Sequence, residues 1–307
     1  MPIACDLQAR CFIQNYVDRD PDGPALDYHC GHLTYHRHTG TDFALPDLPS
    51  MREGIAVLAA AAGTVRASRD GMPDISFRDA KAPALKGREC GNGVAISHGG
   101  GWETQYCHLR RGSLRVRAGQ QVVAGAVLGL VGMSGEAEFP HVHLTVRHNG
   151  QVIDPFAGGP MSTACGDNPA PLWTPAAAAA LAYRAGGIID AGFATAAPTQ
   201  VGAEAGSYMS THFPVSAPAL IFWVREFGAL QGEIRSVQLF GPDGALFAER
   251  IEPPATKPQA RHFLYVGKAR GDAAWPAGRY RAEFRALLKQ DGGTRELYRV
   301  ERTIELQ

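Results

Sequence analysis

The sequence has 307 residues, of which 45% are hydrophobic and 20% are charged, as in ordinary globular proteins of about two domains. Lys and Arg together number 30, as do Asp and Glu, so the chain lacks the basic excess that nucleic-acid binding requires. No apolar run is long enough to span a bilayer, and no Lys/Arg-rich amphipathic stretch indicates binding to a membrane surface.

The N-terminal segment, residues 1–30, begins MPIACDLQARCFIQNYV and lacks a signal-peptide pattern. We expect that a leader was removed ahead of residue 1. We also expect residues 1–30 to pack on the domain that follows them. An inhibitory role for this segment stays open, because nothing in its residues demonstrates one.

All six cysteines lie within the first 165 residues, at positions 5, 11, 30, 90, 107 and 165. None forms a CxxC pair, which disfavours a thiolate zinc site or a thioredoxin-like motif. An even number in one half of the chain predicts disulfides and an oxidising compartment. Free buried thiols are the alternative.

One disulfide follows from strand register. The stretch CGNGVAISHGGGWETQYCHL, residues 90–109, reads as a strand, a turn of three glycines and a second strand. Antiparallel partners around this turn should have numbers that sum to about 200. Cys90 and Cys107 sum to 197, so we predict that they are joined. The pairing of the other four cysteines stays open.

Residues 31–165 are predicted to form a small antiparallel β domain, because short apolar runs alternate there with glycine and Asn-Gly turns. HNGQ at 148–151 predicts a two-residue hairpin. Residues 69–90 are predicted to form a long polar loop, and long loops often border functional sites.

The rest of the chain is predicted to be a linker followed by a second domain. Residues 166–194 are the linker, and it contains a connecting helix over 174–187 that Thr174 and Pro175 begin and Gly186 ends. Short strands over 195–307 predict an Ig-like β-sandwich, without clustered His, Asp or Glu, that serves as a structural or binding module. The expected fold class is therefore mostly β.

Nine of the eleven histidines precede residue 150, so chemistry is expected in the first half of the chain. His141 and His143, in HVH, are two residues apart in a predicted strand and therefore share one face. Two adjacent imidazoles are poor core residues, whereas neutral imidazoles together with a carboxylate are good zinc ligands. Each motif taken alone has a plainer interpretation. HVH could be a pair of surface histidines, HTGTD could be a turn, and His108 could be a core or surface histidine.

Three motifs occur in a fixed order: HTGTD at 38–42, GNGVAISHGGGWETQYCHL at 91–109, and a stretch from 116 to 155 that contains HVH and ends in DP. This order resembles the lysostaphin-type (LytM-like) zinc metallopeptidases, whose pattern runs HxGxD, GNxVxIxH…TxYxHL, HxH and DP. The resemblance covers about 40% of the chain. HVHLTV departs from the family, which usually has an aromatic residue and Glu after the second histidine. We expect that departure to alter packing and leave ligation unchanged.

The resemblance implies that His38, Asp42 and His143 bind one Zn²⁺ ion and that His108 and His141 are catalytic residues beside the attacking water. It implies a small antiparallel β fold and a zinc endopeptidase that cuts peptide cross-links of peptidoglycan. Peptidoglycan peptide stems or another peptide would be its substrate, in the periplasm or outside the cell. A binding or regulatory protein of the envelope without activity, and a secreted zinc protease that acts on proteins, are the alternatives.

Further residues of the central motifs are assigned more weakly. Trp102 and Tyr106 could line the substrate groove, although packing within the sheet is the favoured interpretation for Tyr106. Asp154 is predicted to bond within a turn. His98, His36 and His32 are predicted to be turn or surface residues, with support of a metal ligand as the minor alternative for His98. The sequence leaves the oligomeric state open.

Overall fold

The computed structural model describes residues 1–7, 9–79, 84–161, 164–166, 170–290 and 293–307. Four residues of the predicted loop, 80–83, and three of the predicted linker, 167–169, lie outside the described part. The chain divides into two compact units, Met1–Tyr183 and Arg184–Gln307. Among the described residues, no helix has the length and apolarity needed to cross a membrane.

The regular secondary structure in the described part of the first unit is mainly strand, as predicted. Its strands are β1 Phe12–Asn15, β2 Thr41–Ala44, β3 Ala56–Leu58, β4 Gly63–Arg69, β5 Asn92–Gly99, β6 Trp102–Leu109, β7 Gln121–Val122, β8 Val127–Leu130, β9 His141–His148 and β10 Gln151–Ile153. Its helices are α1 Leu48–Glu53 and α2 Pro175–Ala180.

The first unit is built around one antiparallel sheet. Its strand order is β1-β2-β9-β6-β5-β4-β7, and β10 also pairs with β9. Strands β3 and β8 form a separate pair. Along β9 the alternate residues Val142, Leu144 and Val146 are buried on one face of the sheet. His141 and His143 therefore point to the other face, since side chains alternate along a strand.

Turns predicted from glycine form as expected. Gly99, Gly100 and Gly101 all have positive φ and join β5 to β6, a backbone conformation that glycine adopts without steric cost. Asn149 and Gly150 also have positive φ and join β9 to β10, as the HNGQ pattern predicts.

All six cysteines form disulfides: Cys5–Cys11, Cys30–Cys165 and Cys90–Cys107. The third pair is the one predicted from the hairpin register. It links β6 to the residue two positions before β5, next to the strands that carry the histidines.

Residues 1–30 belong to the sheet of the first unit through β1, which pairs with β2. Ile3 forms an additional bridge with Val57 of β3. The N-terminal segment is thus part of the same hydrogen-bonded framework as the HTGTD stretch.

The connecting helix is shorter than the sequence predicted. Thr174 caps α2 by accepting the Ala177 N–H, and Pro175 occupies its first turn, but the helix ends at Ala180 instead of near Gly186. No residue of α2 is buried, and so short a helix is marginal without an apolar face to bury. Beyond it, Tyr183 donates its hydroxyl to Asp27 and stacks on His29, which draws the chain out of helical geometry.

The second unit consists of two sheets and a short helix, α3 Gln200–Glu204, in its described part. Its strands are β11 Gly187–Ala194, β12 His212–Phe213, β13 Ala219–Ala229, β14 Glu233–Phe240, β15 Leu246–Ile251, β16 Gln259–Ala269, β17 Gly278–Gln290 and β18 Gly293–Leu306. The sheet orders are β11-β13-β16 and β12-β18-β17-β14-β15.

Both sheets contribute to one hydrophobic core, for example through Phe193 and Phe222 of one sheet and Phe284 of the other. This two-sheet arrangement is a β-sandwich. The Ig-like connectivity stays a prediction. Residues 187–194, which the sequence placed in the linker, instead form β11 and pair with β13, because Ala191 and Phe193 are buried in that core.

Candidate metal centre

The structure brings His38, Asp42 and His143 together on the open face of the large sheet. His38 precedes β2, Asp42 is its second residue, and Asp42 pairs directly with His143 of β9. One ligand atom from each residue lies within 4.8 Å of the others. His38 and Asp42 are buried, and the His143 side chain is 14% exposed, so the cluster has one side open to solvent.

His38 presents its Nε2 atom to the cluster. Its Nδ1–H donates to the carbonyl oxygen of Tyr16 at 2.6 Å, and a carbonyl can only accept. When neutral, the ring therefore carries its hydrogen on Nδ1 and a lone pair on Nε2. That Nε2 lies 3.2 Å from Asp42 Oδ1 and 3.1 Å from His143 Nδ1.

His143 presents its Nδ1 atom to the same point. Its Nε2 lies 3.0 Å from the hydroxyl oxygen of Thr145, and its Nδ1 lies 2.9 Å from Asp42 Oδ1. The tautomer with its hydrogen on Nε2 donates to Thr145 and leaves a lone pair on Nδ1, as metal binding needs, whereas the tautomer with its hydrogen on Nδ1 donates to Asp42. Two imidazole nitrogens and a carboxylate oxygen thus converge on one point, an arrangement that could hold a metal ion.

The electrostatics of the cluster also favour positive charge. Burial alone would lower the pKa of His38, but the Asp42 carboxylate beside it outweighs burial and the net pKa is raised. Burial alone would raise the pKa of Asp42, but charges on His38 and His141 and the hydrogen bond with His143 hold it well below its usual range. A carboxylate that stays ionised while buried suits a metal ligand.

Gly40 allows the HTGTD turn to approach His143. A Cβ at this position would lie 2.5 Å from His143 Nε2 and 2.6 Å from the Leu144 carbonyl oxygen. Any side chain would therefore push His38 and Asp42 away from β9. Glycine at this position therefore allows the HTGTD turn to pack closely against β9.

His108 reaches the cluster because of a β-bulge. Asn92 pairs with Leu109 and Val94 with Tyr106, so Cys107 and His108 together face only Gly93. The extra residue changes the alternation, and His108 has a φ of 64°, in the left-handed region that side chains rarely adopt. As a result the His108 ring lies 4.6 Å from the His141 ring and 6.0 Å from the His143 ring.

His108 and His141 share one tautomer. The Nδ1–H of His108 donates to the Ser134 carbonyl at 2.7 Å, and that of His141 donates to the Phe139 carbonyl at 2.9 Å. When neutral, each ring therefore carries its lone pair on Nε2, and the Nε2 of His141 lies 3.7 Å from Asp42 Oδ1. Burial, followed by repulsion from His141 and His143, lowers the pKa of His108 well below its ordinary value. A neutral imidazole of this kind can accept a proton.

Residues 36–155 match Peptidase family M23. The chain contains a peptidase family M23 domain. This match confirms the resemblance drawn from the three motifs.

Individual relatives agree with this family. The DD-carboxypeptidase/endopeptidase Mpg of Neisseria meningitidis is 37% identical over 125 residues, which are 40% of this chain and 23% of that protein. The peptidoglycan DD-endopeptidase ShyA of Vibrio cholerae is 31% identical over 118 residues, or 38% and 22% of the two chains. This chain thus spans less than a quarter of either relative. A solved putative peptidase M23 from Pseudomonas aeruginosa is 32% identical, covers 47% of this chain and 50% of its own, and has a TM-score of 0.30.

Tyr106 and Trp102, the two aromatic residues considered for the substrate groove, both lie in β6 of the M23 domain. Tyr106 is fully buried, and its hydroxyl accepts the Ala60 N–H at 2.8 Å, in agreement with the favoured interpretation that it packs within the sheet. Trp102 pairs with His148 and stacks on it at 4.3 Å. Because His148 is five residues from His143 along an unbroken strand, Trp102 lies on the opposite face from the cluster.

Other sequence assignments in the M23 domain agree with the structure. Asp154 is buried and accepts the Phe156 N–H, which is the bonding within a turn that was predicted. His98 bonds to the Ala62 carbonyl and to Thr104, away from the cluster. His32 and His36 are exposed.

Three residues around the cluster were missed. Asn15 bonds to Asp42, Thr145 bonds to His143, and Tyr35 packs its ring 4.4 Å from that of His38. Thr145 was predictable, since it is two residues from His143 on one strand face. Thr145 belongs to the part of HVHLTV that departs from the family pattern, and it contacts His143. The departure therefore affects a candidate ligand as well as packing. No pattern in the sequence indicated Asn15 or Tyr35.

Proposed function

We propose that this protein is a zinc-dependent endopeptidase that hydrolyses peptide bonds in peptidoglycan cross-links. One Zn²⁺ ion would be held by Nε2 of His38, Oδ1 of Asp42 and Nδ1 of His143. The observation that supports this most is the convergence of these three atoms within 4.8 Å. Three protein ligands leave a fourth position for water or substrate, as catalytic zinc sites require.

The donor set fits zinc better than a hard cation. Two imidazole nitrogens and one carboxylate oxygen are the kind of ligands that Zn²⁺ binds, whereas Mg²⁺ and Ca²⁺ prefer oxygen alone. When bound, the ion would lower the pKa of a water molecule to about 7 and polarise the scissile carbonyl group.

His108 and His141 would move the protons of the reaction. One accepts a proton from the attacking water at its Nε2, and the other stabilises the oxyanion or gives a proton to the departing amine. Both rings are fixed by a backbone carbonyl on Nδ1, so neither must reorient before it reacts. The two rings have equivalent hydrogen bonds, so either can take either role.

Peptidoglycan is proposed as the substrate because the relatives named above are peptidoglycan or DD-endopeptidases. Three disulfides also favour an oxidising location outside the cytoplasm, in the periplasm or beyond the cell. The second unit would then be a structural or binding module.

Digestion of purified peptidoglycan tests the proposal. We expect mass spectrometry of the muropeptides to show cross-linked dimers converted into monomers, with each cut adding one water. A chelator should stop the reaction, and added Zn²⁺ should restore it. His98→Ala is the matched control, because it removes a histidine of the same hairpin that bonds away from the cluster, and it should digest normally.

Two results would contradict this proposal. Cleavage of casein with intact peptidoglycan would indicate a protease that acts on proteins. Absence of any cleavage by zinc-loaded protein would indicate a binding or regulatory role.

A further inference from the structure

Asp42 uses its two carboxylate oxygens differently. Oδ1 faces the cluster, where it lies 2.9 Å from His143 Nδ1 and 3.2 Å from His38 Nε2. Oδ2 accepts a hydrogen bond from the side-chain Nδ2 of Asn15 at 2.8 Å. Both residues are buried, so water does not readily replace this bond. Asn15 thereby directs a single oxygen toward the metal position.

A bulge in β1 brings Asn15 to this place. Phe12 pairs with Ala44 and Ile13 with Phe43, and a regular register would then put Gln14 opposite Asp42. The register shifts after Ile13, and Asn15 pairs with Asp42 instead. Bulges that re-aim one side chain are common beside functional sites. The neighbouring Tyr16 supplies the carbonyl that fixes His38.

His143 has its own support in Thr145. The buried Thr145 hydroxyl oxygen lies 3.0 Å from Nε2 of His143 and accepts the hydrogen of that nitrogen in the tautomer whose Nδ1 lone pair is free for a metal ion. Loss of this acceptor would leave a buried N–H without a partner, or would let the ring change tautomer or rotate. In either case a lone pair on Nδ1 would no longer be held toward the metal position.

We propose that Asn15 and Thr145 are positioning residues of the metal centre, and that β1, which lies outside the segment matching family M23, sets its metal affinity. Each of the three ligands then has one dedicated partner: Tyr16 for His38, Asn15 for Asp42 and Thr145 for His143. This inference rests on the proposed zinc site but not on the identity of the substrate. Supports of this type typically change metal affinity by about 10–100-fold.

The test is the affinity for Zn²⁺ of the full chain, measured by competition with a chromophoric chelator. We expect Asn15→Leu and Thr145→Val each to bind Zn²⁺ about 10–100-fold more weakly than the wild type. Thr145→Ser keeps the hydroxyl and should restore affinity to near the wild-type value. If Asn15→Leu does not fold, as judged by circular dichroism, the smaller polar change Asn15→Ser replaces it.

Thr104→Val is the matched control. It removes a buried threonine of the same sheet that bonds to His98 Nε2 at 2.8 Å, a bond like that of Thr145 but away from the cluster. It should leave Zn²⁺ affinity unchanged. Wild-type affinity in both positioning variants would overturn this inference while the zinc site stands. Failure of the wild type itself to bind Zn²⁺ would instead overturn the proposed function.

Discussion

Replacement of His108 by alanine is expected to lower kcat for peptide hydrolysis by about 10²–10⁴-fold, the usual contribution of one acid or base group. The bulge in β6 and the bond to Ser134 hold the His108 Nε2 lone pair beside His141. His108 belongs to none of the three ligand positions, so the variant should still bind one Zn²⁺ ion. Single-turnover kinetics on a cross-linked muropeptide, together with metal analysis of the same sample, would measure both quantities.

The control for His108→Ala is again His98→Ala, whose ring bonds to Ala62 and Thr104. It should keep full kcat. A His108→Ala variant with near-wild-type kcat would remove His108 from the reaction. Loss of zinc together with activity would show that His108 supports the metal instead of moving a proton.

Replacement of Arg235 by methionine is expected to lower the free energy of unfolding of the second unit by about 3–5 kcal/mol. Arg235 is 2% exposed and donates to Glu226, with Glu233 at 3.7 Å and Glu252 at 3.9 Å. Tyr298 donates its hydroxyl to both Glu226 and Glu233. One guanidinium thus provides the positive charge among three carboxylates of the second unit.

The physical reason is the cost of buried charge without a partner. Burial already raises the pKa of Glu226 to about 7, although Arg235 acts to lower it. Without the guanidinium, Glu226 and Glu233 would have to be protonated or repel each other. Chemical denaturation followed by the fluorescence of Trp223 and Trp275 would report on this unit.

Arg279→Met is the matched control for Arg235. Its side chain is 76% exposed and lies 3.9 Å from Glu305, so its loss should change stability by less than about 1 kcal/mol. An Arg235→Met variant as stable as this control would contradict the role assigned to the buried network.

Much of the site could be predicted from local sequence patterns. Alternation along a strand places His141 and His143 on one face, and the glycine turn sets the register that joins Cys90 to Cys107. The motif order supplied His38, Asp42 and His108, and the structure brings all five polar residues together.

The residues that position the site could not be predicted from local patterns, because their placement depends on pairing between strands that are distant in the sequence. No local signal predicts either bulge, because each is set by the register of the whole sheet. One bulge reorients His108, and the other places Asn15 opposite Asp42 where Gln14 would otherwise lie. Similarly, the Ala-rich α2 has good helix formers but ends early, since contacts of Tyr183 with Asp27 and His29 decide where the chain goes. Tertiary contacts override local preference at such points.

Anomalous diffraction at the zinc absorption edge, from crystals of the zinc-loaded chain, tests the metal centre most directly. We expect one strong peak at about 2.0–2.2 Å from Nε2 of His38, Oδ1 of Asp42 and Nδ1 of His143. The same crystals of Asp42→Ala should show no peak there. A peak coordinated by other residues, or an undiminished peak in Asp42→Ala, would contradict the proposed zinc site and the hydrolytic chemistry that depends on it.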